Sequence, residues 1–225
     1  MHPFDTSHTP AFRLRAALLA ATLLFASVAQ AGPPLLCHPF DTAGAASLPW
    51  GKSWNQASAG YDTGRLVDDT SALLAPGTPV IARMETLRRA AIYASANGDD
   101  LRRLSTALEA RMASANDRRS KALALFDAGY FAETLQDIAR LQGYDMPGIG
   151  KVDTAALRAA QAKGDGSRRI AEAVRLNPTD ASMRFAAALV AGADVRPIDR
   201  LVHARAARAG AGRDRLLALN MRQID

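Results

Sequence analysis

Cys37 and His38 are adjacent, and a thiol beside an imidazole is a pairing from which a nucleophilic thiolate can be made. That pair defines one reading of the chain, a thiol-dependent enzyme using Cys37. Pro34 and Pro39 flank it, however, and in an extended segment neighbouring side chains point to opposite faces. His203 reaches Cys37 only if tertiary folding brings it there. Glu133 and Asp137, spaced i,i+4, are the best-placed carboxylate pair for acid–base work. Arg140 lies three residues beyond Asp137, so a solvated ion-pair face accounts for them more simply. Trp50 and Trp54, with Phe40 and Tyr61 nearby, offer an aromatic platform for a glycan or peptide.

Other chemistries lack their residues. No HExxH, CxxC or GxSxG occurs. Gly148-Ile149-Gly150-Lys151 fails as a phosphate loop, because Asp145 stands at the first glycine position and Val152 at the Ser/Thr position. Only His38 and His203 follow residue 31, too few for an imidazole-based metal site. The expectation is therefore no catalytic set, no metal and no cofactor.

The compartment reads from the start of the chain. Arg13 and Arg15 precede an apolar run from Ala16 to Val28, and Ala29-Gln30-Ala31 supplies a small-x-small cleavage pattern. Residues 1–31 are expected to be a secretory signal, too short in its apolar run to span a bilayer, with Gly32 as the new first residue and a periplasmic or secreted destination. Cleavage removes Arg13, Arg15 and Asp5, taking the formal net charge from +6 to +5. Arg outnumbers Lys twenty-four to four, a bias that fits a GC-rich bacterial genome. Between Arg196 and Asp225, seven Arg face three Asp. Such an excess can draw an acidic partner or an anionic membrane surface, but a solvated helical face is the simpler expectation. Nucleic acid is a poor partner for an exported chain.

Cys37 is the one cysteine, so an intramolecular disulfide is impossible. In an oxidising compartment it is expected to be buried, ahead of a disulfide-linked dimer and of catalysis. His-Pro-Phe-Asp-Thr occurs at His2–Thr6 and again at His38–Thr42, the first copy within the expected signal segment.

The elements that must position these residues are helical. Residues 32–61, rich in proline and aromatics, form an irregular leader expected to pack its rings on a helical body spanning 62–225. Thr63 caps a short helix, and Thr78-Pro79 opens the next, with Val80, Met84, Leu87, Ala91 and Ala94 inward and Arg83, Arg88 and Arg89 largely off that stripe. Asp117, Asp153 and Asp180 begin later helices, and no alternating strand pattern occurs. Glycines at Gly98, Gly129, Gly164 and Gly192 recur at intervals of 31, 35 and 28 residues, the rhythm of stacked helical hairpins, with Gly129 read as a turn.

Two stretches carry a resemblance. Leu125-Phe126-Asp127-Ala128-Gly129-Tyr130 running on to Leu135, and Ala171 to Pro178 followed by Ala181 to Ala188, resemble the helix–turn–helix text of tetratricopeptide repeats over roughly Asp117 to Gly192. The W-x2-L-G-x2-Y opening of that family is missing. The resemblance implies an all-α array of stacked helical hairpins with a concave surface for an envelope or extracellular protein or peptide. A second stretch, Gly143-Tyr144 with Val152 to Leu157 and Gln161, resembles the helical peptidoglycan-binding domain without its D-G-x-x-G segment, and implies cell-wall binding instead.

Overall fold

Short acidic and amide side chains set most of the helix starts. Asn97, Asp117, Asp153, Asp165, Asp180 and Asp214 each accept a backbone N–H from the first turn of the helix that follows. The computed structural model describes residues 35–141 and 149–225. The expected signal segment, the first His-Pro-Phe-Asp-Thr and most of the loop after Gln142 lie outside the described residues.

The fold is all-α. Nine α-helices occur among the described residues: α1 (Leu66–Leu73), α2 (Val80–Ser95), α3 (Gly98–Ser114), α4 (Arg118–Arg140), α5 (Thr154–Gln161), α6 (Gly166–Leu176), α7 (Ala181–Ala193), α8 (Pro197–Ala211) and α9 (Arg215–Asn220). An isolated bridge between Trp50 and Ala57 is the extent of β pairing among those residues. Helix α4 is the spine, packed by α2, α3, α5 and most extensively α6, and α6 passes the contact on to the tight α7/α8 hairpin. The helix opening near Thr78 starts one residue later than expected, with Pro79 as a cap that has no side chain to offer.

Gly129 is not a turn. It sits inside the unbroken 23-residue helix α4, where its missing side chain lets α6 approach. A Cβ at Gly129 would lie 2.9 Å from the Gly166 carbonyl, and one at Gly166 would lie 2.6 Å from the Gly129 carbonyl. The glycine that reads as punctuation is a packing device, which also breaks the even spacing of the hairpins. Gly192 likewise falls within α7.

Helix α2 departs furthest from its expected amphipathic form. Fifteen of its sixteen residues are buried, Arg83, Glu85 and Arg88 among them. A helix enclosed on all sides has no solvent face on which to place charge, so its arginines must find partners inside.

The leader belongs to the same compact unit as the helices. Leu35 and Leu36, in a 3-10 turn, are fully enclosed, and Leu48 is buried as well. Phe40 meets Phe185 edge-on, with centroids 6.1 Å apart, and Tyr130 at 6.5 Å. Asn220 holds both main-chain groups of Asp41, accepting from its N–H and donating to its carbonyl at 2.9 Å each. One extended segment thereby joins α2 and α4 to the last turn of the chain. Not all its rings are covered: Trp50 and Tyr61 are partly buried, and Trp54 is 40% exposed, a departure from the expectation of buried aromatics.

Candidate functional site

Glu85 organises the seam between leader and helices. Its carboxylate accepts from Arg88 Nε at 2.9 Å and Nη2 at 2.8 Å, from Arg89 Nε at 2.7 Å and from the Phe40 N–H at 3.1 Å. Arg88 also donates to the Leu36 carbonyl, and Arg89 to Ser47 Oγ and the Leu48 carbonyl. The Tyr93 hydroxyl donates to the Pro49 carbonyl at 2.6 Å and accepts from the Ser58 N–H at 3.0 Å. The two guanidiniums stand 5.3 and 5.2 Å from the Trp50 ring, and Tyr93 meets that ring edge-on at 5.7 Å. Every group here answers another of the same chain. The Glu85–Arg88/Arg89 spacing at i,i+3 and i,i+4 was present in the sequence, but reading α2 as amphipathic put the arginines on a solvated side.

Glu133 and Asp137 are buried, not on a solvated face. Asp137 accepts the Leu35 N–H in a short hydrogen bond and pairs with Arg140 at 3.2 Å, while Arg140 also reaches Asp194 at 3.0 Å. Burial pushes the Asp137 carboxyl up to about 6, against the hydrogen bond from Leu35 and the charge of Arg140. Burial, with Asp194 nearby, raises Glu133 to about 7. Glu133 takes a backbone hydrogen bond from Ser167 at the start of α6, so its role is to receive that helix end.

Cys37 is a free, half-buried thiol, and its pKa is raised by burial and by the Asp137 carboxylate, opposed by Arg88. A raised pKa keeps the group a thiol and disfavours the nucleophilic thiolate. His203 stands 3.4 Å from Arg184, and burial together with that cation lowers its pKa. No cluster of three metal-ligating side chains occurs among the described residues.

The open concave surface lies elsewhere, around the Pro76-Gly77 turn. One lobe of about 530 Å3 sits between the end of α1, the end of α3 and the start of α4, lined by Leu74, Arg111, Arg119, Leu123 and Ala124. A second lobe of about 540 Å3 continues along Arg118, Asn177 and Asp180. Pro76, Gly77, Arg119 and Leu123 wall both, making one trough.

The cations of the first lobe are held from behind. Arg83 Nη1 donates to Asp127 Oδ2 at 2.6 Å, and its other nitrogens donate to the carbonyls of Leu74, Ala75 and Thr78. Arg111 donates to the Leu74 carbonyl at 2.7 Å and lies 3.9 Å from Asp127. Burial raises the Asp127 carboxyl to about 6 against both guanidiniums, so at neutral pH it is ionised and paired. The acidic residues of the trough, Asp117, Asp180 and Asp214, cap helices and keep their negative charge there. Arg119 makes no side-chain hydrogen bond or ion pair among the described residues and is exposed.

No protein-family model, no curated protein and no solved structure matches this chain.

Proposed function

We propose that the chain is an exported, non-enzymatic helical interaction module that receives an acidic peptide segment of an envelope or extracellular protein in the trough around Pro76-Gly77. The supporting observation is the trough itself. Its two lobes have the size of small-ligand pockets, an apolar wall of Leu74, Pro76, Leu123 and Ala124, and an exposed guanidinium at Arg119 whose charge is shared with Asp180. In the first lobe Arg83, Arg111 and Arg119 stand against two carboxylates, Asp117 and Asp127, which leaves an excess of one positive charge.

The aromatic platform serves a glycan poorly. Trp50 spends its faces and edges on Arg88, Arg89 and Tyr93, leaving Trp54 alone at the surface. The trough, by contrast, is lined by neither cysteine nor histidine, and its polar groups are arginines and capping aspartates, a set suited to recognition. Export rests on the basic start, apolar run and Ala29-Gln30-Ala31, and N-terminal sequencing of material from outside the cytoplasm should begin at Gly32.

Selection of random displayed peptides on the immobilised protein tests the binding reading. Enriched peptides should be acidic and bind Leu123→Asp and Arg119→Glu at least about tenfold more weakly than the parent. Peptides that bind all three proteins alike, or no enrichment, would refute it.

A further inference from the structure

Beyond α7 five aliphatic side chains lie in solvent among the described residues, four of them between Val195 and Val202 and the fifth, Leu219, in α9. Ile198 is 76% exposed, Leu201 63% and Val202 58%; Val195, just ahead of α8, is 43% exposed. The i,i+3,i+4 spacing puts the first three on one face of α8, while Ala204 and Ala207 face the core.

Val195 is unusual twice over. Its φ of 57° lies in the left-handed region. Its N–H donates to the Gly192 carbonyl at 3.2 Å, and the Arg196 N–H to the Ala191 carbonyl at 2.8 Å. Those two bonds close α7 in the pattern whose left-handed residue is normally glycine. A β-branched residue there is strained, and burial does not compensate it.

The charge around this face identifies the contact. Arg205 shares the exposed side of α8, and Arg213, Arg215 and Arg222 are exposed after it; none makes a side-chain hydrogen bond or ion pair among the described residues. The three aspartates of this stretch are engaged: Asp199 pairs with Arg196 at 2.9 Å, Asp225 with Arg208 at 3.0 Å, and Asp214 accepts from Ser182 while capping α9. The stretch from Arg196 to Asp225 therefore keeps an excess of four positive charges. A second copy would set cation against cation.

We propose that Val195 and the outer face of α8 form a peripheral docking surface for an anionic phospholipid bilayer. The aliphatic side chains stand out from α8 and enter the interfacial region, Arg205 on the same side meets lipid phosphates, and the positive excess of the stretch adds long-range attraction. No helix among the described residues is long and apolar enough to cross a membrane, so the contact is with the surface. This inference stands apart from the trough at Pro76-Gly77.

Cosedimentation with vesicles tests it. The protein should bind vesicles of phosphatidylcholine with about one-third phosphatidylglycerol, and bind phosphatidylcholine alone at least about tenfold more weakly. Arg205→Glu and Ile198→Asp should each weaken anionic binding about tenfold or more, as should raising salt to about 0.5 M for the parent. Val195→Gly relieves the strained backbone, so it should weaken vesicle binding while melting no earlier than the parent, separating lost contact from lost fold. Equal binding to both vesicles, no binding to either, or binding indifferent to Ile198→Asp and Val195→Gly would overturn the proposal. So would a concentration-dependent dimer that Ile198→Asp dissolves in protein that ignores vesicles.

Discussion

Arg83 and Asp127 form an ion pair at 2.6 Å in which neither side chain has any exposed surface, fastening α2 to α4 directly behind the trough. The guanidinium also gathers the carbonyls of Leu74, Ala75 and Thr78, so the same residue closes α1 and shapes the turn at Pro76-Gly77. One buried arginine thus couples the core to the rim of the candidate binding surface.

Removing the carboxylate should leave that charge buried without its counter-ion. Asp127→Asn is expected to cost about 3 kcal/mol in denaturant unfolding at neutral pH. Combining it with Arg83→Met should not restore parental stability, because the three carbonyls would then lose their donor. Full recovery in the double variant would show that those carbonyl contacts carry no weight.

Asp137 near 6 and Glu133 near 7 hold protons in the folded chain at pH values where unfolded carboxyls have lost them. The folded state then binds more protons, so the contribution of these groups is present in full below the unfolded carboxyl pKa. It is lost as pH rises through about 6 to 7. Denaturation midpoints measured from about pH 4.5 to 8 should carry this falling component. Glu133→Gln should shallow the fall and raise stability at pH 8 by about 1–2 kcal/mol. An unchanged pH profile in that variant would contradict the assignment.

Gly129→Ala should destabilise the chain, against the preference of a helix interior for alanine by about 1 kcal/mol. The new methyl would meet the Gly166 carbonyl at 2.9 Å and the Ile170 side chain at 2.9 Å. Gly166→Ala would be worse, at 2.6 Å from both the Gly129 carbonyl and Glu133 Oε1. Losses of about 2–3 kcal/mol are expected, read as a lower thermal midpoint. A stabilised Gly129→Ala would mean that α4 and α6 are further apart than described.

The Cys37 thiol should react with a disulfide reagent more slowly in the native protein than after unfolding, since half-burial limits access and its raised pKa limits thiolate. Stopped-flow labelling with and without denaturant reads the ratio directly. Native labelling as fast as that of the unfolded chain would rule out this protection.

Asn220→Ala should strip Asp41 of both its main-chain partners and loosen the leader from the last turn of the chain. A loss of about 2 kcal/mol is expected, with faster proteolysis between residues 41 and 60. Unaltered cleavage kinetics there would show that the contacts to α2 and α4 anchor the leader without Asn220.

Helix locations were legible in the sequence because their signals are local. A capping aspartate, a run of helix formers and a glycine or proline beyond them act within a few residues, so α5 begins at Thr154 and α8 at Pro197 as the caps and proline imply. The all-α class follows from the same signals. Which face of a helix meets which neighbour is not local. Arg83 and Arg88 read as solvent residues until Asp127, 44 positions away from Arg83, and the Leu36 carbonyl, 52 positions from Arg88, arrive to pair with them. Gly129 reads as a turn until α6 presses against it, since a missing side chain serves a bend and a close contact equally well. The trough depends on the ends of α1 and α3 meeting the start of α4, and the exposed face of α8 on nothing covering it. Neither is written in any one segment, because burial is a property of the partners that a side chain meets and not of the side chain itself.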